Sequence, residues 1–338
     1  MRVVILYNEY AGLIRGEAND ATAAMAVMDE VEGVRAACVN NGWEAITLAA
    51  PQEPGGFVRA VHDAAPDAVF NLVEEMRGNP RYEAAAAWLL ELSGVPYTGS
   101  PPQALSLAND KPLTQAALRG LGLAVPNNRV LVSGEESLEG LNYPCIVKPA
   151  REDASHGINA DSVVQNAVDA RLRAAYVISA YRQPALIEEF LPGREFNVSV
   201  LGEGQTAFML HPAEIDYSHF PRERVPLVTY DGKWKEDSID FTGTPSIKAV
   251  NVEADLLERI EALAISAFRA LDLRDYGRVD MRLDAHGTPY IMEVNPNPDI
   301  SPQAGLARAA GWSGICYDKL IAKIVQSAIA RNNAARTA

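Results

Sequence analysis

The sequence predicts a mixed α/β chain in three units: an open sheet with a parallel core over 1–104, a small α+β unit over 105–191, and a second α+β unit over 192–332 that carries a β-hairpin. Residues 333–338 are expected to fray. Three observations predict this. At 338 residues the chain is too long for one core. Strand and helix signals alternate through the first hundred residues, the pattern of a sheet with crossover helices. Two alternating runs flank a short turn with glycine near its centre between Gly277 and Asn295, which reads as a hairpin.

In the first unit, the apolar run 3–7 reads as a buried strand and 18–40 as a helix that ends before Asn41-Gly42. Strands follow at 44–48 and 68–72, with a helix at 56–64 between them. An Ala-rich helix over 82–93 stops at Gly94, and 95–99 forms a short strand and turn. That helix suits packing within the unit or against a second copy, so a homodimer stays open. Ligands of such sheets bind beyond the carboxyl ends of the strands. Those ends carry Asn8, Glu9, Asn71, Glu74, Glu75 and Arg77, with Arg15-Gly16-Glu17 further along. No G-x-G-x-x-G follows the first strand, which sets aside a dinucleotide fold.

In the second unit, Asn109-Asp110 cap a helix running from Lys111 to Arg119. A strand over 144–149 brings Lys148 to the start of the polar loop 150–157, and a helix over 163–181 precedes a strand over 184–191. A lysine so placed can hold phosphates as a point charge. It can equally be a plain surface residue.

In the third unit, a strand over 195–201 pairs with 206–210, and the polar segment 211–246 has little periodicity, as in loops that are functional or mobile. An amphipathic helix over 254–271 leads into the hairpin, and helices over 302–310 and 317–331 close the chain. Pairing about Ala285-His286-Gly287-Thr288 sets Val279 opposite Val294, Met281 opposite Met292 and Leu283 opposite Tyr290 on an apolar face. The other face then pairs Asp280 with Glu293 and Arg278 with Asn295. Opposed carboxylates repel. A divalent cation bound together with phosphates would relieve them, and so would ion pairs with Arg278 and Arg282 on a solvated face.

The formal net charge of -14 argues against nucleic acid or an anionic membrane as a partner. A small anionic substrate is compatible, because a metal and a few local cations can reverse the sign of a site. Cys38, Cys145 and Cys316 show no disulfide or zinc spacing. No apolar run reaches the roughly 20 residues of a membrane span, so the expected setting is the cytoplasm.

Lys111, the IVKP lysine Lys148, the EEFL strand with Glu195 seven residues after Glu188, and the pairs Arg278/Asp280 and Glu293/Asn295 occur in an order that resembles the ATP-grasp superfamily. The spacing is most similar to the D-alanine:D-alanine ligase branch, over nearly the whole chain and including the PYTGS turn at 96–100. The resemblance implies the ATP-grasp fold, with ATP between the second and third units. Lys111 and Lys148 would meet its phosphates with Ser155 of the following loop. Glu188 and the backbone of Glu189, Phe190 and Leu191 would meet adenine, and Glu195 the ribose. Asp280, Glu293 and Asn295 would hold Mg²⁺, with Mn²⁺ as a substitute. It further implies Arg278 at the oxyanion of the reaction, Lys233 and Tyr230 on a mobile segment over the γ-phosphate, and Glu17 at a substrate ammonium group.

The implied activity is ATP- and Mg²⁺-dependent ligation of a carboxylate to an amine through an acyl phosphate, with amino acids or small peptides as substrates. D-Alanine:D-alanine ligase itself, an inactive nucleotide-binding module and a phosphotransferase that stops at the acyl phosphate are the alternatives. The departures lie in the phosphate loop, where the extra anion Asp153 weakens the expected contact, and in the amino-acid pockets. Asp153-Ala154-Ser155-His156-Gly157 replaces the branch's Gly-Ser-Ser loop, NLVEEMRGNPRYEA replaces its His-Gly stretch, and Ala304 and Gly305 stand where a hydroxyl is expected. Both amino-acid pockets are therefore expected to be rebuilt.

Overall fold

The computed structural model describes residues 1–9 and 27–337. The expectations for Arg15, Gly16, Glu17 and the start of the helix over 18–40 lie outside the described residues. The first part contains β1 (Arg2–Tyr7), α1 (Val27–Asn40), β2 (Glu44–Ala49), α2 (Pro54–Asp63), β3 (Ala68–Leu72), α3 (Glu83–Ser93) and α4 (Pro102–Ala108). Next come α5 (Lys111–Gly120), β4 (Asn128–Leu131), β5 (Cys145–Pro149), β6 (Val163–Val164), α6 (Ala167–Tyr181) and β7 (Ala185–Glu189). The remainder is β8 (Glu195–Glu203), β9 (Phe208–Met209), β10 (Ala213–Ile215), α7 (Tyr230–Trp234), α8 (Ile239–Gly243), β11 (Ser246–Lys248), α9 (Ala254–Ala270), β12 (Arg274–Leu283), β13 (Pro289–Asn295), α10 (Gly305–Trp312) and α11 (Tyr317–Thr337).

Three sheets result: a parallel β2-β1-β3, an antiparallel β4-β7-β5-β6, and an antiparallel β11-β10-β8-β12-β13 with β9 on β8. The continuous apolar run of β1 is explained by its central place in a parallel sheet covered on both faces. Val3 and Ile5 pack with α1, α10 and α11, while Val4 and Leu6 pack with α2 and α3. The Ala-rich helix thus spends Ala84, Ala86, Ala87 and Leu90 inside the first part of the chain. The last helix, though far away in sequence, covers the first sheet through Leu320, Ile321, Ile324 and Val325. Buried Asp275 fastens that junction. It pairs with Arg331 at 2.9 Å and accepts the N–H of Gly99 at 2.8 Å, which satisfies a charge that would otherwise be costly to bury.

The structure corrects several expectations. The helix α4 and strand β4 carried no signal that was read, and the segment over 211–246 is not irregular. It holds β10, β11 and two short helices, α7 capped by Thr229 and α8 capped by Ser238. The terminal helix runs to Thr337 where fraying was expected, and Asn332 donates to the carbonyl of Gly94 at 3.1 Å. In the hairpin, Val279 pairs with Val294 and Asp280 with Glu293 as expected. A β-bulge then shifts the register, so Met281 faces Ile291 and Leu283 faces Pro289, leaving Met292 as the extra residue. Gly277 is required here: a Cβ would come within 2.8 Å of Leu273 and 3.0 Å of Phe268, two side chains of the core under this sheet.

Candidate active site

The second and third sheets, together with residues that follow β1 and β3, line a cavity of about 860 Å³. This is the size of a small-molecule site.

On its floor, the alternation of β12 and β13 turns Arg278, Asp280, Glu293 and Asn295 to the cavity. Arg278 grips Asp280 with two bonds, Nε to Oδ1 at 2.7 Å and Nη2 to Oδ2 at 2.9 Å. Asn197 and Asn295 also donate to Asp280, at 2.8 and 3.1 Å. Glu293 is held by Lys111 at 2.5 Å. Burial opposes ionisation of Glu293, but the nearby Lys111 and Lys148 bring its pKa down to about 2. Each opposed carboxylate therefore has a cation of its own. Arg282, the other candidate partner, turns elsewhere and holds Glu195 at 3.1 Å while stacking on Phe190.

Among the described residues no three His, Cys, Asp or Glu side chains converge on a metal position. Two carboxylates and the amide oxygen of Asn295, whose nitrogen is already used on Asp280, instead fit the incomplete donor set that Mg²⁺ completes with phosphate oxygens and water.

Lys111 reaches this floor from the first turn of α5, whose N-cap Asp110 accepts the N–H of Leu113 at 3.1 Å. Besides Glu293, Lys111 meets Asp153 at 2.9 Å and the carbonyl of Glu152 at 2.5 Å. Burial disfavours its charge, yet Asp153 and Glu293 outweigh that and raise its pKa. One turn along the same helix, Gln115 donates to Glu188 and accepts from Asn128 at 2.5 Å. Sequence reading missed Gln115, though the four-residue spacing from Lys111 on one helix face was a usable signal.

Lys148 and Glu188, expected to meet separate parts of a nucleotide, are bound to each other, and Glu188 is 0% exposed. The Glu189 side chain points away from the cavity, accepting from Asn127 and Asn142 at 2.8 to 3.0 Å. Its own N–H is taken by Asn127 and that of Phe190 by Pro144. Leu191 lines the cavity with Phe190 and Glu195. Glu195 is already engaged by the Tyr217 hydroxyl at 2.6 Å as well as by Arg282; neither partner was read from the sequence.

The loop after β5 is held from above. Trp234 donates its indole N–H to the carbonyl of Ala154 at 3.1 Å, and the N–H of Tyr230 meets the carbonyl of Ile158 at 2.9 Å. The Ser155 hydroxyl sits 3.4 Å from the carbonyl of Val228. Ala154 and Ser155 adopt φ of 54° and 61°, a left-handed backbone that costs non-glycine residues energy and persists only where the surroundings impose it. Lys233 and Ser155 line the cavity, and enclosure plus the neighbouring Arg278 lower the pKa of Lys233. Tyr230 does not line it. The tyrosine packs between His156 and Trp234, at ring separations of 5.7 and 6.4 Å, because α7 starts there and turns its first residue onto the loop.

The family described as D-ala D-ala ligase C-terminus matches residues 121–326. An uncharacterized protein y4sG of Sinorhizobium fredii is 33% identical over 260 residues, 77% of this chain and 74% of that protein. A D-alanine–D-alanine ligase of Cupriavidus metallidurans is 31% identical over 301 residues, 88% of this chain and 85% of that one. The crystal structure of the D-alanine–D-alanine ligase of Bacillus anthracis complexed with ATP shares the fold, with a TM-score of 0.74, 20% identity and 99% of both chains covered.

Proposed function

Because the chain belongs to the D-alanine–D-alanine ligase family, and so is an ATP-dependent ligase that forms a C–N bond, we propose that it joins amino acids or small peptides other than two D-alanines through an acyl phosphate. Asp280, Glu293 and Asn295 would hold Mg²⁺, and Lys111, Lys148 and Ser155 would meet the phosphates of ATP once Asp153 and Glu188 give way. When bound, the nucleotide and metal would supply the phosphoryl group and screen its charge.

The chain's own residues supply the rest. A substrate carboxylate would take the γ-phosphoryl group of ATP with release of ADP, an amine nitrogen would attack the acyl carbon, and phosphate would depart with release of a proton. Arg278, fixed by its two bonds to Asp280, faces the oxyanion that forms at that carbon. Lys233 approaches from α7, and the strap of α7 over the loop at 153–158 excludes water that would hydrolyse an acyl phosphate. Free Cys38, Cys145 and Cys316 suit a reducing, cytoplasmic setting. Among the described residues no helix is long and apolar enough to cross a membrane.

The observation that carries this reading is the pair Asp280 and Glu293, opposed across one rung, each neutralised, and both open to the cavity. Phosphate release from ATP across a panel of amino-acid pairs, with and without a chelator, tests it. Amine-dependent release that stops on chelation is expected. Activity confined to D-alanine with D-alanine would overturn the substrate claim, and full turnover by Asp280→Asn with Glu293→Gln would overturn the site.

A further inference from the structure

Beyond Lys111 and Glu293 the cavity ends in a wall that the proposed ligation, on which this inference rests, leaves unexplained. Glu30, Glu74, Glu75, Glu83 and Asp299 line it, and among the described residues none of the five has a basic partner. Glu30 is only 6% exposed and holds no more than the N–H of Ile300 at 3.2 Å. Glu83 accepts from Asn297 at 3.2 Å, and one oxygen of Glu75 is buried without any hydrogen bond. Desolvation, then Asp299, Asp153 and Glu75, push Glu74 up to about 7. Burial, then Glu74 and Asp299, raise Glu30, and burial, then Asp153 and Glu74, raise Glu83. A metal is a poor remedy, since no three such groups converge on one point. An ammonium or guanidinium group, with several divergent donors, spans wider spacing.

Arg308 supplies an independent sign of the missing ligand. It lines the same cavity from α10, gives Nη1 to the carbonyl of Ser246 at 2.9 Å and has no carboxylate partner among the described residues. Its Nε is buried and has no acceptor. That Nε is closed off from the cavity, and the open donor of the fork is Nη2, which has no acceptor among the described residues and is matched by a carboxylate. A carboxylate held there is kept from activation, so its owner is the amine-donating partner.

We propose that the amine-donating substrate is an amino acid, free or at a peptide terminus, with a second positive charge on its side chain: the acidic wall takes that charge and Arg308 takes the carboxylate. Calorimetric titration of the protein loaded with a non-hydrolysable ATP analogue and Mg²⁺ tests this. The ligands are lysine and its uncharged isostere norleucine, each in both enantiomers.

Lysine is expected to bind at least about tenfold more tightly, the yield of one charge-assisted hydrogen bond. In Glu30→Gln/Glu74→Gln the preference should collapse. Arg308→Met should weaken lysine while leaving cadaverine, which lacks the carboxylate, unchanged. Equal binding of lysine and norleucine by the unaltered protein, or binding of neither, overturns the inference without recourse to any variant. Selective lysine binding with no lysine-dependent phosphate release supports the pocket and overturns the ligase reading instead.

Discussion

The two ends of the cavity contain the same kind of side chain in opposite condition. At the nucleotide end each carboxylate has a cation: Glu293 has Lys111, Asp280 has Arg278, Glu188 has Lys148 and Glu195 has Arg282. At the other end Glu30, Glu74 and Glu83 have none among the described residues, and their pKa values rise where that of Glu293 falls. Desolvation opposes ionisation at both ends, though Glu30 is buried and Glu74 is exposed. The neighbours decide the sign: among the described residues, the acids of one end each have a cation before any ligand arrives and those of the other have none.

That contrast can be broken most forcefully at Lys148. Replacing it by Met strands the fully buried Glu188 and should cost about 3–5 kcal/mol of stability. Urea unfolding measures this, and adding Glu188→Gln should recover most of the loss. A change of under 1 kcal/mol would mean the pair contributes little. At the opposite end, removing charge should help: Glu30→Gln is expected to stabilise by about 1 kcal/mol, the size of one relieved like-charge contact in a partly screened setting. A destabilised variant would show that Glu30 is needed for packing as an acid.

The smallest effect is a difference in pH dependence. Glu74, near 7 when folded and 4.5 in its ordinary state, binds more protons folded than unfolded between those values. Its contribution therefore declines as pH rises from about 4.5 to 7. Glu293, near 2 when folded, contributes fully above about 4.5 and loses that contribution as pH falls toward 2. Unfolding midpoints of the parent and Glu74→Gln at pH 5 and 7.5 should diverge, with the parent relatively weaker at 7.5. Parallel midpoints would remove Glu74 from the contrast.

The paired acids were legible through two offsets that cancel: the expected turn register was one residue out, since Leu283 faces Pro289, and the extra residue Met292 brings Asp280 back opposite Glu293. The bulge was hidden because Tyr290, Ile291 and Met292 form an unbroken apolar run, in which nothing marks the extra residue. The order of the motif lysines and acids led to the family. It could not show that Lys148 and Glu188 hold each other, since that depends on β5 lying beside β7. The segment over 211–246 looked shapeless because its short helices draw on caps such as Thr229 and on contacts with a distant loop, such as Trp234 with Ala154. Arg308 gave no local signal, as one arginine on a short helix resembles many solvated ones.

Met292 has a further significance for how this pocket can change. Without that residue, Ile291 would follow straight into Glu293 and the two arms would zip regularly, with Met281 still across from Ile291 and Asp280 still across from Glu293. It is thus a spacer inserted into a hairpin that could close without it. Its side chain lines the cavity and its carbonyl lies 3.4 Å from Gln115. Shortening the chain by this one amino acid would reshape the chamber while leaving the rungs on either side in step.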